Sequence, residues 1–220
     1  MLRQKGPADK PHFQSFPLEI HPDEYVLDAI EKIWAFQDRS LTFRHACHHA
    51  TCGACGMRVN GKEKLTCITS LHTVVKNNGV LKIEPLRNFP VLSDLVVDMG
   101  HLYRQTEEAD FQQVVPLEAA QLPYKITPNR TPNEPHERLV DCIECGLCVS
   151  ACPAAFTSTD YRGPAALAAI QQGIAFAPNE VLFDLADHEN GVWRCHSAFE
   201  CTEVCPSNVD PGWRIMNLRR

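Results

Sequence analysis

The sequence predicts an α+β protein in two parts, and three observations predict it. Residues 1–103 alternate short apolar runs with turn signals around one helix-period stretch, as expected of a small, mixed, strand-rich unit. Residues from 137 onward read as short helices gathered around closely spaced cysteines. Between them Pro116, Pro123, Pro128, Pro132 and Pro135 punctuate a stretch with few periodic apolar positions, which reads as a linker wrapped over the surface. The boundary falls near Tyr103, so the second part is 104–220.

From Lys10 to Ile20 the apolar residues Phe13, Phe16, Leu18 and Ile20 alternate loosely and Pro17 interrupts them, which predicts an edge or bulged strand. Pro22 or Asp23 can open a helix in which Val26, Leu27, Ile30, Ile33 and Trp34 share one side. Leu41–Phe43 reads as a short strand leading into a cysteine loop. Asn60-Gly61 between apolar runs is the strongest local signal for a two-residue hairpin turn, and a further strand ends near Pro85. Leu92, Leu95, Val96, Met99, Leu102 and Tyr103 repeat at helical spacing, which predicts a helix after Pro90. In the second part, Gly163-Pro164 opens an Ala-rich helix through Ile170.

Composition narrows the chemistry. The 220 residues are 44% hydrophobic and 22% charged, ordinary values for a globular chain, so the eleven cysteines stand out. An odd count cannot pair off completely into disulfides. The opening residues MLRQKGPADK read as neither a secretory signal nor a transit peptide, which points to the reducing cytosol, where clustered cysteines are metal ligands or redox groups. No apolar run is long enough to span a membrane, so membrane contact is expected to be peripheral or through a partner. The net charge is -6, with 12 basic and 11 acidic residues in 1–103 and 9 and 16 in 104–220, which disfavours nucleic acid.

Cys47, Cys52, Cys55 and Cys67 follow C-x4-C-x2-C with a fourth cysteine shortly after, the plant-ferredoxin spacing for a 2Fe-2S cluster. Gly53 and Gly56 let such a loop close around inorganic sulfide. A zinc site is the alternative, although zinc knuckles usually present two tight C-x2-C pairs and one is found here. A Rieske centre through His48 or His49 is also conceivable, but four cysteines are available and both histidines are expected to be solvated.

Cys142, Cys145, Cys148 and Cys152-Pro153 form C-x2-C-x2-C-x3-C-P, a specific signature whose fourth cysteine serves the other cluster in two-cluster ferredoxins. A second run, Cys195, Cys201 and Cys205-Pro206, repeats the frame with Ala198 at the position of the second cysteine. Exchanging the fourth cysteines assigns Cys142, Cys145, Cys148 and Cys205 to a 4Fe-4S cluster and Cys152, Cys195 and Cys201 to a 3Fe-4S cluster. A 4Fe-4S cluster completed by His196, Ser197 or water is the alternative at the second site. Every cysteine is then a ligand, and no dinucleotide loop, phosphate loop, Ser/His/Asp arrangement or metal-bound His-Glu pair accompanies them. The chain reads as an electron wire with no substrate site of its own.

Over nearly its whole length the sequence resembles the iron-sulfur subunits of succinate dehydrogenase and fumarate reductase. The resemblance rests on VLDAIEKI, CHHATCGACGMRVNGKEKLTC, IEPLRNFPVLSDLVVDM, CIECGLCVSACP with GPAALAA, and RCHSAFECTEVCPSNVDP. It implies an N-terminal beta-grasp ferredoxin domain and a C-terminal all-helical ferredoxin domain. It also implies electron flow between covalent FAD on a flavoprotein subunit and quinone at a membrane anchor, in the order FAD, 2Fe-2S, 4Fe-4S, 3Fe-4S, quinone. The assembly is expected on the cytoplasmic face of a prokaryotic membrane, held there by partner subunits.

By the same resemblance Pro153, Trp193, Arg194 and His196 lie beside the 3Fe-4S cluster near the quinone, with His196 as hydrogen-bond or proton donor. Two departures accompany it. His48-His49 replaces the family's Arg-Glu pair, and Ala154, Ala155, Phe156 and Thr157 follow Pro153 where ubiquinone-reducing members carry Trp, which favours menaquinone. The rivals are a ferredoxin-like subunit of another flavin-linked oxidoreductase, of 2-hydroxy acid or heterodisulfide type, and a zinc-stabilised adaptor. Ala198 and the absence of CCG repeats count against the first.

Overall fold

The computed structural model describes residues 1–75, 79–109, 142–176 and 180–219. Within the Lys10–Ile20 stretch only β2 (His12–Phe13) is a strand, paired antiparallel with β1 (Leu2–Arg3). Pro17 has no N–H for a ladder, and its carbonyl instead accepts from Gln37 Nε2 at 2.8 Å. The helix expected next forms as α1 (Val26–Phe36). It starts later than Pro22 or Asp23, where Asp28 accepts the Tyr25 N–H at 2.8 Å and satisfies a donor that the helix start leaves over. Val26, Leu27, Ile30 and Ile33 are buried as their spacing requires, while Trp34 lies at the margin beneath the Arg39 guanidinium.

α1 packs through Val26, Ile30 and Ile33 onto Met57, Val59 and Ile83 of a three-stranded antiparallel sheet. Its order is β4-β3-β5, from β3 (Gly56–Val59), β4 (Lys62–Leu65) and β5 (Ile83–Glu84), with α2 (Leu71–Val74) between the last two in sequence. Asn60 and Gly61 join β3 to β4 with φ of 51° and 84°, the left-handed pair that a type I′ turn demands. Asn60 also donates to Val74 O at 2.7 Å and accepts from Lys82 N at 2.9 Å, so one side chain fixes the hairpin, α2 and β5.

Two expectations are corrected here. Leu41–Phe43 is not a strand: Thr42 is held irregularly, its N–H on Asp94 Oδ2 at 3.0 Å and its carbonyl accepting Leu95 N at 3.2 Å. The helix expected over Leu92 to Tyr103 is instead a bulged hairpin, β6 (Val91–Ser93) with β7 (Val96–Val97), and α3 begins only at Gly100 and ends at Glu108. The cause is Asp94, fully buried with φ 45°, whose carboxylate accepts from Gln4 N, Arg3 Nε and Lys5 Nζ as well as Thr42 N. Those donors come from distant sequence, so helical spacing of the apolar residues could not reveal them.

The remaining described elements are α4 (Leu147–Ala151), α5 (Pro153–Thr157), α6 (Pro164–Phe176), α7 (Glu180–Ala186), a 3₁₀ turn (Val192–Arg194), α8 (Glu200–Glu203) and α9 (Pro211–Leu218). Pro164 starts α6 where the sequence indicated, and Ala165–Ile170 are buried all round, making α6 the central helix against which α7 and α9 pack. α3 runs across residue 103 and pairs Glu108 with Arg162 at 2.9 Å. The proline-punctuated linker lies outside the described residues.

The two parts share one core. Cys55, Cys67, Leu86 and Phe89 pack with Leu147, Val149 and Ala165. Polar groups close the seam: Ser150, fully buried, donates to Glu63 Oε1 at 2.9 Å and accepts Arg87 N at 2.9 Å. The Asn88 amide lies on the carbonyls of Val149 and Cys152 at 2.7 and 3.0 Å, satisfying the acceptors that the end of α4 leaves over.

Candidate metal centres

The loop after α1 winds through left-handed backbone at His48, Ala50 and Gly53. That winding turns the N–H groups of His49, Thr51 and Cys52 toward Cys47 Sγ, at 3.5, 3.3 and 3.4 Å. The donors, His49 first and then Cys52, pull the Cys47 thiol down to about 6, into the range where a thiolate is available at neutral pH. Cys67, on the core side of the same group, is pushed up to about 11 by burial and then by the Cys55 thiol. Cys52 is exposed, whereas Cys55 and Cys67 are buried.

The two downstream runs repeat in backbone as well as in spacing. Glu144 and Gly146 have φ of 49° and 75°, and Ser197 and Phe199, at the same offsets from the first cysteine of their run, have φ of 55° and 62°. Gly146 and Phe199 each stand in left-handed conformation at the start of a short helix, α4 or α8. A left-handed Phe is costly, and it is held there by packing of its ring on Gly212 and Trp213. Ala198 therefore occupies, in its own loop, the backbone position of Cys145.

Burial pushes the thiols of Cys142, Cys145, Cys148, Cys152 and Cys201 up, to about 12 at Cys145 and Cys201. The thiols that face one another add to this. Cys142, Cys145 and Cys148 each feel Cys205, Cys152 feels Cys195, and Cys201 feels Cys152 and Cys195, with Cys148 also feeling Cys201. Buried sulfurs that oppose each other's ionisation need a cationic centre to become ligands. Beside the set of three, the buried Tyr161 hydroxyl turns toward the Cys195 sulfur, a donor suited to that acceptor. These donor sets fit iron-sulfur groups.

Gly53 and Gly56 of the first loop lie against Cys145 and Leu147, leaving no room for a side chain between the first group and the second. α4 then carries Cys148 and ends at Cys152, joining the second group to the third. Near the third group Pro153 opens α5, Trp193 is 59% exposed and donates to Asp187 at 2.6 Å, Arg194 is half-buried and His196 is exposed. Sequence reasoning missed Arg219, whose guanidinium donates to Val192 O and Cys195 O and to Ser197 Oγ, clamping the loop that carries Cys195 and His196. It also missed the turn of His48 onto His45 and Glu31, although His48 and His49 are exposed as expected.

Residues 1–104 match a family described as 2Fe-2S iron-sulfur cluster binding domain, and residues 138–209 match one described as 4Fe-4S dicluster domain. The fumarate reductase iron-sulfur subunit of Haemophilus influenzae is 35% identical, with 98% of this chain and 88% of that protein covered. The chain belongs to the family of succinate dehydrogenase and fumarate reductase iron-sulfur subunits. Within this family the fumarate reductase iron-sulfur subunit of Mycobacterium tuberculosis is 33% identical over 95% of this chain and 85% of its own. A mitochondrial succinate dehydrogenase iron-sulfur subunit of Oryza sativa is 30% identical over 98% and 77%. The fold is similar to a chain of the Mycobacterium smegmatis Sdh1 complex in the apo form, with a TM-score of 0.74 at 24% identity, covering 99% of this chain and 91% of that one. Among the described residues no helix is long and apolar enough to cross a membrane.

Proposed function

We propose that this iron-sulfur subunit is the electron relay between FAD on a flavoprotein subunit and quinone at a membrane anchor. The carrying observation is that the thiols lie in neighbouring groups whose members influence one another, with glycine contact between the first loop and the second and one short helix leading on to Cys152. Cys47, Cys52, Cys55 and Cys67 would hold 2Fe-2S; Cys142, Cys145, Cys148 and Cys205 would hold 4Fe-4S; Cys152, Cys195 and Cys201 would hold 3Fe-4S. When bound, these clusters supply one-electron carriers in series. The chain contributes thiolate ligands, N–H donors to Cys47 that favour its anionic form, and burial that keeps water from Cys55, Cys67, Cys152 and Cys201.

The fold reading is a beta-grasp ferredoxin domain over 1–103 and an all-helical two-cluster domain over 104–220. The quinone end is assigned to Pro153, Trp193, Arg194 and His196, where an exposed imidazole and indole stand beside the three-thiol set. Ala154, Ala155, Phe156 and Thr157 in place of a Trp favour menaquinone. The complex is placed on the cytoplasmic face of a prokaryotic membrane through its partners.

The test is purification of the native complex, identification of its co-purifying subunits, and EPR during a redox titration. Three distinct iron-sulfur signals together with a flavoprotein and an anchor are expected. A colourless, zinc-loaded protein without a flavin partner would refute the relay.

A further inference from the structure

Beside the first cysteine loop, three side chains converge on one point. Glu31 lies on α1, and His45 and His48 lie in the segment that follows it. His45 Nδ1 is 3.0 Å from Glu31 Oε1, His48 Nε2 is 3.3 Å from the same oxygen, and the two ring nitrogens are 3.2 Å apart. The rings stand at 90° to each other. His45 is stacked on Phe43, centroids 5.1 Å apart, and Phe43 abuts Trp34 edge-on, so its imidazole is held from behind by an aromatic wall.

With Glu31 ionised, protons alone do not satisfy this triangle. If both ring nitrogens carry hydrogen and donate to Glu31, two donors face each other across the 3.2 Å nitrogen pair. If one is bare, it accepts from its neighbour but then points its lone pair at a carboxylate oxygen. Each arrangement leaves at least one short edge unfavourable. A cation at the centre makes ligands of all three inward lone pairs. Metal–ligand bonds of about 2.0–2.1 Å in a tetrahedral arrangement place ligand atoms about 3.4 Å apart, close to the three separations found.

We propose that Glu31, His45 and His48 form a three-ligand site for a divalent transition cation of the zinc type, with a fourth position open to solvent. Two imidazoles and one carboxylate suit zinc and disfavour calcium and magnesium, which take oxygen ligands. The site uses no cysteine, although His48 follows Cys47, and its readout, metal content, does not depend on the electron-relay reading.

The test uses the full-length protein in its native complex, dialysed against buffered free zinc, with zinc and iron counted per chain and the zinc K-edge spectrum recorded. One zinc per chain is expected beyond that of the variants, in a shell of nitrogen and oxygen only. Glu31→Gln and His48→Ala should each lower zinc affinity by at least about tenfold with iron unchanged. Glu31→Gln lies outside the cysteine loop, so it decides the case if His48→Ala disturbs that loop. Equal zinc in wild type and Glu31→Gln, or a sulfur shell with loss of iron, overturns the proposal.

Discussion

Gly53 packs directly on Cys145: a Cβ added at Gly53 would stand 2.8 Å from Cys145 Cβ and 2.9 Å from its Cα. Two cysteine groups that are far apart in sequence thus meet through a residue without a side chain. Gly53 also has φ +70°, so Ala at this position suffers both backbone strain and overlap. Gly53→Ala is expected to cost about 2–4 kcal/mol. For a chain of this size that lowers the melting temperature by roughly 4–16 °C, and the 2Fe-2S EPR signal should broaden. Melting and EPR identical to wild type would show that the contact constrains nothing.

The vacancy at Ala198 leads to a second expectation. Ser197 and Phe199 share the left-handed backbone of Glu144 and Gly146, so a cysteine at 198 would enter a loop already wound for a ligand. Ala198→Cys should convert a three-iron centre toward 4Fe-4S and lower its potential, because a thiolate adds charge and fills the missing corner. Low-temperature EPR of the oxidised protein checks it: the 3Fe-4S signal should be present in wild type and lost in the variant. The same spectrum in both would overturn the ligand assignment.

The grouping of cysteines within each run was legible in the sequence because that spacing is local: offsets of three and four residues dictate which sulfurs a turn can bring together. The Asn60-Gly61 hairpin and α1 were legible for the same reason. What escaped notice depends on distant partners. Asp94 turns an apparently helical stretch into a hairpin only because Gln4 and Thr42 donate to it. Arg219 matters only because α9 brings it onto the Val192–Ser197 loop, and a terminal arginine otherwise reads as a solvated charge. His48 looked solvated because nothing local shows that Glu31 of α1 lies beside it.

Asp94 also sets a pH dependence. Burial alone would raise its pKa, but hydrogen bonds from Lys5, Gln4, Thr42 and Arg3 outweigh burial and hold the carboxyl below its ordinary 3.8. A carboxyl lowered on folding stabilises fully above its ordinary value, and that stabilisation is lost as pH falls through the lowered value. Asp94→Asn leaves Arg3 without its buried counter-charge and is expected to cost about 3 kcal/mol at neutral pH. The gap in urea midpoint between wild type and variant should then narrow as pH drops below about 4. Acid loss of the clusters is common to both proteins, so the gap is the readout; a gap that stays constant from neutral pH to pH 3 would remove Asp94 from the account.

The last expectation concerns the proposed quinone end. His196 is exposed one residue beyond Cys195, in the loop that Arg219 clamps from behind through Cys195 O and Val192 O. A side chain so placed can hydrogen-bond a bound quinone or hand it a proton without supporting the core. His196→Ala should therefore slow quinone reduction by about 10²-fold, the lower range for loss of a proton donor, while succinate oxidation by an artificial dye and the EPR spectrum stay close to wild type. Arg219→Ala separates position from chemistry. It leaves the imidazole in place but frees the loop, so it should weaken quinone binding, seen as a raised KM, more than it lowers kcat. If His196→Ala reduces dye and quinone turnover equally, the imidazole is holding the cluster loop and the proton has another source.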